Sequence, residues 1–322
     1  MLKIGVIGTG HLGRIHTKLW NENPDVQLVG ICDLDEAKAN AVAVEFSTKV
    51  FSLDNIIEEC DAVTIATHTV THYDVARKCM DSGIHCLIEK PITSSYEQAL
   101  DLINISKEKN KIIQVGHVER FNPALTALSE IEVNPMFIEA HRLSGFNPRA
   151  IDVSVIHDLM IHDIDIILSL IDSKVSNIIA NGVAVITDTP DICNARISFE
   201  NGAVANLTAS RISASPMRKM RIFQQDSYIS IDFSKPDVEI FKIYEDGNLP
   251  SSETPTTKLG SIEAGLKNKN IFYEKPIIKE YNAIAEEQKS FARSILGGDK
   301  IAVDAESATE ALRIAEEITK MI

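Results

Sequence analysis

A glycine-rich turn near the start of the chain constrains the fold more than any other feature. Gly8-Thr9-Gly10-His11-Leu12-Gly13 follows directly on the apolar run from Leu2 to Ile7 and opens an amphipathic stretch. In a strand-turn-helix unit, the first glycine permits the tight turn and the second lets backbone approach a pyrophosphate. The third lets helix pack on strand, and the helix amides then face the phosphates. The next apolar run ends in Gly30-Ile31-Cys32-Asp33, placing a carboxylate 20 positions beyond Gly13 (33 − 13). There it can accept the hydroxyls of an adenosine ribose. A GxGxxG alone is a weak signal, but followed by this acid it reads as a dinucleotide site. Gly8, Gly10, His11, Leu12, Gly13 and Asp33 are its expected cofactor contacts. A carboxylate at position 33 repels a 2′-phosphate, and no Lys or Arg follows until Lys38. NAD is therefore expected in preference to NADP.

The rest of the first third alternates short apolar runs with helical stretches. Strands are predicted at 3–7, 26–32, 62–67, 85–89 and 111–115, with helices at 11–21, 35–46, 72–82 and 94–109; the last opens on a capping box of Ser94 and Glu97. Strict alternation predicts a doubly wound parallel sheet, an α/β Rossmann domain over residues 1–118. Beyond Arg120-Phe121-Asn122-Pro123 the texture changes to long alternating strands. They are predicted near 136–143, 176–186, 219–233 and 238–244, with a hairpin at 195–211 turning on Asn201-Gly202. Residues 247–270 read as a long loop, and helices near 279–296 and 305–321 close the chain. A C-terminal α+β domain of a mainly antiparallel sheet with helices on one face is expected over 119–322, its closing helices free to pack back on the first domain.

Composition narrows the partners. With 32 Lys+Arg against 46 Asp+Glu, the net charge of −14 repels phosphate backbones, so nucleic acid is not expected. The greasiest segment, 156–171, is interrupted by His157, Asp158, His162, Asp163 and Asp165, which excludes a membrane span there. The chain enters a strand without a basic and apolar leader. Its five cysteines are odd in number and lack zinc or disulfide spacing. Reduced thiols and a cytoplasmic location are expected.

Two segments carry candidate chemistry. Glu89-Lys90-Pro91 ends the strand at 85–89, on the carboxyl edge where open α/β sheets bind ligands. Lys90 there can hydrogen-bond a reacting hydroxyl and the nicotinamide ribose, its charge favouring a developing alkoxide; a solvated loop lysine is the plainer alternative. Thr67 and His68 end the strand at 62–67 on the same edge. His16 is expected to pack on the first helix, and His72 to cap its helix or touch cofactor. In Ile156–Ser169, residues Asp158, His162, Asp165 and Ser169 fall at about 0°, 40°, −20° and 20° on a helical wheel, a polar stripe about 60° wide on an otherwise apolar helix. Such a stripe faces a cavity, ligand or partner, or a strip of solvent at a domain edge. His162 has the titration range of a general base and Asp158 sits one turn earlier to orient it or bind substrate. Asp and His at this spacing can also ligate a metal. The His-Asp pairs at 157–158 and 162–163 superficially match His-Asp phosphohydrolases, but those are all-helical, and no metal is expected here.

In order and spacing, GTGHLGRIH, TIATHTVTH, EKP, GHVERFNP and DLMIHDIDI resemble the glucose-fructose oxidoreductase / inositol dehydrogenase / MocA (Gfo/Idh/MocA) family. The resemblance runs nearly end to end and is greatest to its MviM-like branch, similar to UDP-N-acetylglucosamine 3-dehydrogenases. It implies an NAD(P)-dependent dehydrogenase of a secondary sugar hydroxyl. Lys90, Asp158 and His162 would do the chemistry, Glu89, Thr67 and His68 would line the cofactor site, and Arg120 and Asp165 would bind substrate. It further implies a sugar or nucleotide-sugar substrate and a homodimer or homotetramer. An inositol or free-sugar dehydrogenase and a non-catalytic NAD-binding regulator are the alternatives. The retained Lys, Asp and His weigh against the regulator. The chain departs from many relatives at Thr67-His68, where they have Thr-Pro, and at 152–157, where they have a glycine-rich run.

Overall fold

The computed structural model describes residues 1–146, 153–245, 255–264 and 267–322. In chain order its elements are β1 (Leu2–Ile7), α1 (His11–Glu22), β2 (Val26–Cys32), α2 (Glu36–Phe46), α3 (Leu53–Glu59), β3 (Ala62–Ile65), α4 (Thr69–Asp81), β4 (His85–Glu89), α5 (Tyr96–Lys109) and β5 (Ile113–Gly116). A 3-10 turn (Val118–Phe121), α6 (Pro123–Thr126), β6 (Phe137–Leu143), a π-helical turn (Ile156–Met160) and α7 (Ile161–Leu170) follow. Then come β7 (Val175–Val183), β8 (Ile192–Phe199), β9 (Val204–Ser210), β10 (Met217–Gln224), β11 (Ser227–Asp232), β12 (Asp237–Glu245), β13 (Thr256–Ala264), β14 (Lys267–Glu274), α8 (Ala283–Ile295) and α9 (Ala305–Lys320). Two compact units result: residues 1–120 with 282–313, and 121–281 with 314–322.

The first unit holds a five-stranded sheet in the order β2-β1-β3-β4-β5, all pairs parallel. Its strands are Val/Ile/Leu-rich and buried nearly throughout, as a sheet covered on both faces requires. Trp20 on α1 is fully buried and donates its indole N–H to Thr64 Oγ1 at 2.8 Å. Phe291 and Ala292 of α8 join the same core. The strand order reverses between β1 and β3, which makes the carboxyl ends of these two strands the place where a ligand can enter.

The second unit holds a nine-stranded sheet, β13-β14-β12-β11-β10-β6-β9-β8-β7. All its pairs are antiparallel except β6 with β9. In β6 the residues alternate, Ile138, Ala140 and Arg142 being buried; α7 packs against β6 and β9. The opposite face carries a row of rings, Phe137, Phe223, Tyr228, Phe241 and Tyr273, with centroids 4.9 to 5.8 Å apart.

Both predicted fold classes are observed, with local differences. The cap of α5 is Ser95, which accepts Gln98 N–H, one residue later than the Ser94 expected. The strand read at 219–233 is two strands, β10 and β11, turning at Asp226 with φ +58°; an Asp side chain tolerates that region. Of the loop expected at 247–270, residues 247–254 and 265–266 lie outside the described residues. The remainder forms β13 and the start of β14, largely polar in this stretch; β14 pairs with the edge of β12, and β13 with β14. Helix α3 was not anticipated. It is seven residues long and capped by Ser52, and its Ile56 and Ile57 are buried against β1 and β2.

Candidate active site

In the first unit the glycine turn has the geometry its sequence implies. Gly8 has φ +94°, and a Cβ there would lie 2.5 Å from Ala66 O; at Gly13 it would lie 1.9 Å from Gly8 O. These two glycines seal the turn against β3 and α1. Gly10 is different, since a Cβ there would meet nothing within 4 Å, and α1 begins after it with no side-chain cap. Uncapped amides beside an open glycine form a cradle suited to a pyrophosphate.

Asp33 closes the far side. Its Oδ2 accepts Thr9 N–H at 2.6 Å and the Thr9 hydroxyl at 2.8 Å, and Oδ1 accepts Asp35 N–H at 2.9 Å. Partial burial pushes this carboxyl up, but those hydrogen bonds outweigh burial, with help from Lys38, and hold it below the ordinary range. With Oδ2 occupied twice, Oδ1 is the oxygen left to receive a ribose hydroxyl. Lys38 is engaged with Asp35 at 3.0 Å. The residues present thus fit a dinucleotide.

The Thr67-His68 loop and the Lys90-Pro91 turn follow β3 and β4 at the same sheet edge. The Lys90–Pro91 peptide is cis, and Lys90 is half-buried. His68 is the first residue before α4 and makes no side-chain cap. His72 neither caps that helix nor reaches an open surface. It is 1% exposed, with Nδ1 2.9 Å from Pro91 O and Nε2 3.2 Å from Thr67 O, so its ring ties the two loops together. Burial lowers its proton affinity, against the two carbonyls, which raise it. His16, expected only to pack, is fully buried and places Nε2 2.7 Å from Glu89 Oε1. Glu89 Oε2 in turn accepts Lys90 N–H at 3.3 Å. Glu89, its side chain 12% exposed, is therefore a support of the lysine turn. Burial pushes its carboxyl up, but His16 and Lys90 overcome this and leave it below the ordinary range. Arg120 is half-buried on the 3-10 turn after β5.

In the second unit the polar stripe is not one regular helix. The N–H of Ile161 reaches back to Ile156 O, five residues away, and α-helical spacing begins only there. The π turn rotates Asp158 relative to His162, Asp165 and Ser169, so the narrow stripe expected from a uniform helix is spread. Such turns recur where a side chain must be re-aimed at a functional site. Asp158 and His162 are half-buried, Ser169 is exposed, and Asp165 is 1% exposed.

Two buried ion pairs hold this helix and its approach. On β6, Arg142 grips Asp163 in a fork, Nε to Oδ2 at 3.1 Å and Nη2 to Oδ1 at 2.8 Å. Arg211, just beyond β9, bonds Asp191 Oδ1 at 2.9 Å and Val153 O at 2.7 Å, on the segment leading into the π turn. Asp191 also accepts the N–H groups of Val185, Ile186 and Thr187. Burial pushes it up, but these donors hold it far below the ordinary range. Neither pair has a local sequence signal, because partners 20 or more residues apart meet only through sheet pairing. Among the described residues, no three His, Cys, Asp or Glu side chains form a metal-binding group.

A glycine turn opening onto an uncapped helix at the switch point of a parallel sheet, with an ionised Asp at the end of β2, defines a dinucleotide-binding oxidoreductase. Residues 2–117 match the family model for the oxidoreductase family with NAD-binding Rossmann fold, and residues 138–230 match the GFO/IDH/MocA C-terminal domain. The chain belongs to the GFO/IDH/MocA family of NAD-binding oxidoreductases. It is 43% identical over 242 residues (74% of this chain, 77% of the relative) to the UDP-N-acetylglucosamine 3-dehydrogenase of Acidithiobacillus ferrooxidans. It is 29% identical over 183 residues (53% of this chain, 54% of the relative) to the inositol 2-dehydrogenase of Paracoccus denitrificans. The solved structure of the Acidithiobacillus enzyme superposes with a TM-score of 0.89 at 35% identity, covering 100% of this chain and 97% of that one. A scyllo-inositol dehydrogenase from Lactobacillus casei shares the fold at a TM-score of 0.76 and 18% identity, covering 100% of this chain and 97% of that one.

Proposed function

We propose that the protein oxidises the 3-hydroxyl of a UDP-linked N-acetyl amino sugar with NAD. The observation that carries this reading is the 43% identity, over 74% of the chain, to a UDP-N-acetylglucosamine 3-dehydrogenase. Bound NAD supplies the hydride acceptor. The chain's own residues do the rest. Gly8 to Gly13 and the start of α1 cradle the pyrophosphate, and Asp33 receives the adenosine ribose. Lys90 donates to the reacting oxygen and favours its developing negative charge. His162 takes the hydroxyl proton. Asp158 orients His162 or holds a neighbouring hydroxyl. Arg120 offers a guanidinium for the sugar nucleotide's anionic groups. Asp165 is left a supporting role by its burial.

Asp33 makes NAD the preferred cofactor over NADP, and Asp33→Ala should relax that preference by about tenfold, or ~1.4 kcal/mol. The row of rings on the second sheet, with Ile179 and Val183 each 56% exposed, suits pairing of two copies as a homodimer or within a homotetramer. The five buried free cysteines fit a reducing, cytoplasmic compartment. The test is NADH formation from NAD⁺ with a panel of UDP-sugars, inositols and hexoses. UDP-N-acetylglucosamine should be turned over fastest, and His162→Ala should lose about 10²–10⁴-fold in rate while still quenching Trp20 on binding NADH. Turnover confined to inositol would replace the substrate assignment, and loss of NADH binding in the variant would make His162 a structural residue.

A further inference from the structure

Behind the Lys90 turn, the first unit holds two carboxyl groups, Glu89 and Glu287, that it treats unequally. Glu89 receives two N–H groups, from His16 Nε2 at 2.7 Å and from Lys90 N at 3.3 Å. Gln288 fixes the tautomer of His16. Its Nε2 donates to His16 O at 3.1 Å, so this nitrogen is a donor, and it lies 3.0 Å from His16 Nδ1. Nδ1 is therefore the bare lone pair, and the ring proton sits on Nε2, aimed at Glu89.

Glu287 precedes Gln288 on α8 and is 1% exposed, yet among the described residues neither of its carboxyl oxygens has a hydrogen-bond partner. Its backbone carbonyl accepts Gln114 Nε2 at 2.9 Å, and Gln114 Oε1 is likewise buried with no partner among the described residues. No donor among the described residues reaches either carboxyl oxygen of Glu287, a setting in which an ionised carboxylate is costlier than a carboxylic acid. Of two neighbouring carboxyls, the one that receives N–H groups keeps the charge and the one that receives none keeps the proton.

We propose that Glu287 is held as a neutral carboxylic acid beside ionised Glu89, so that the pair carries one proton and one negative charge, and that this makes Glu287 a positioning residue for the Lys90 turn. The charged group that acts on it is Glu89 at the end of β4, and Glu89 is in turn contacted by His16 of α1 and the backbone N–H of Lys90. Burial first, then the charge of Glu89, raises the proton affinity of Glu287 well above the ordinary range. If Glu287 lost its proton, two like charges would share the interior, and their repulsion would act on Glu89. A Glu89 displaced by that repulsion gives up its hydrogen bonds from His16 and Lys90, and the turn that carries Lys90 loses its anchor.

Infrared difference spectra between wild type and Glu287→Gln at neutral pH should show the carbonyl stretch of one un-ionised carboxylic acid, present only in wild type. Its absence overturns the proposal. Unfolding provides an independent readout. Because Glu287 binds its proton more tightly folded than unfolded, wild type should lose stability as pH rises from the ordinary carboxylate range, about 4.5, toward its folded value, whereas Gln has nothing to lose. The two proteins should melt together in acid, and the variant should gain several degrees in neutral buffer. A gap that does not change with pH counts against a shared proton. If Glu287→Gln does not fold, Glu89→Gln replaces it: removing that charge should shift the Glu287 acid band so that it titrates away at lower pH, and an unchanged titration overturns the proposal. The link to Lys90 rests on the function proposed above and has its own readout. In Glu287→Gln the alkaline fall of kcat should move to higher pH with KM for NAD⁺ unchanged. If the infrared and melting results hold and this one fails, the error lies in the role given to Lys90.

Discussion

The two units hold their candidate groups by different physics. In the first, Lys90, Thr67 and the glycine turn sit on loops, and the loops are tied by hydrogen bonds to buried imidazoles, His16 to Glu89 and His72 to Thr67 and Pro91. In the second, Asp158 and His162 sit on a π turn running into a helix, clamped by two buried Arg–Asp pairs. A loop edge stitched by neutral or titratable rings can adjust to an entering cofactor. A helix and its approach pinned by buried guanidinium–carboxylate pairs hold their residues in a fixed place. The first unit should therefore respond to pH, and the second to deletion of a partner.

The largest effect expected from breaking this contrast is in the second unit. Arg142→Ala leaves Asp163 charged at 4% exposure, and should cost roughly 3–5 kcal/mol, read as a fall in the denaturant midpoint. A double variant that replaces both partners with apolar residues should recover much of that loss. Next is the glycine turn. Gly13→Ala drives a Cβ to 1.9 Å from Gly8 O and should destabilise the first unit by roughly 1–3 kcal/mol. Gly10→Ala, which meets no protein atom within 4 Å, should fold normally yet weaken NADH binding by about tenfold, ~1.4 kcal/mol, by titration of Trp20 fluorescence. Equal effects of the two variants on folding would contradict the open cradle.

The smallest effect is in acid. Burial and Lys111 lower the pKa of His85 from 6.5 to about 4, and its Nδ1 accepts Ile112 N–H at 3.0 Å. Between these values the unfolded chain binds the proton and the folded chain does not, so His85 makes stability fall as pH drops from 6.5 toward 4. His85→Asn keeps an acceptor that does not titrate and should flatten that part of the melting profile.

Much of this was legible in the sequence, and the reasons are local. Gly8, Gly10, Gly13 and Asp33 declare themselves because the turn and its acid lie at fixed chain separations within one βαβ unit. The Asn201-Gly202 hairpin is legible for the same reason, with Gly202 at φ +87°. The supports of the site were not legible. Asp163 looked like an interruption of a greasy helix until β6 brought Arg142 to it, and Glu89 looked like part of a tripeptide motif until α1 brought His16. The π turn at Ile156–Met160 also has no periodic signature, since a wheel drawn at one angular step assumes the regularity that this segment lacks. β13 and the first half of β14 were missed because their residues are largely polar and their pairing comes from a neighbour's edge.

Hydride provenance tests the proposed chemistry most directly. Wild-type protein incubated with NAD⁺ and UDP-N-acetylglucosamine carrying deuterium at carbon 3 should yield NADH with the label on the nicotinamide ring, and His162→Ala should bind NADH while forming almost none. Unlabelled NADH, or no NADH from this sugar under conditions where an inositol is oxidised, would contradict it.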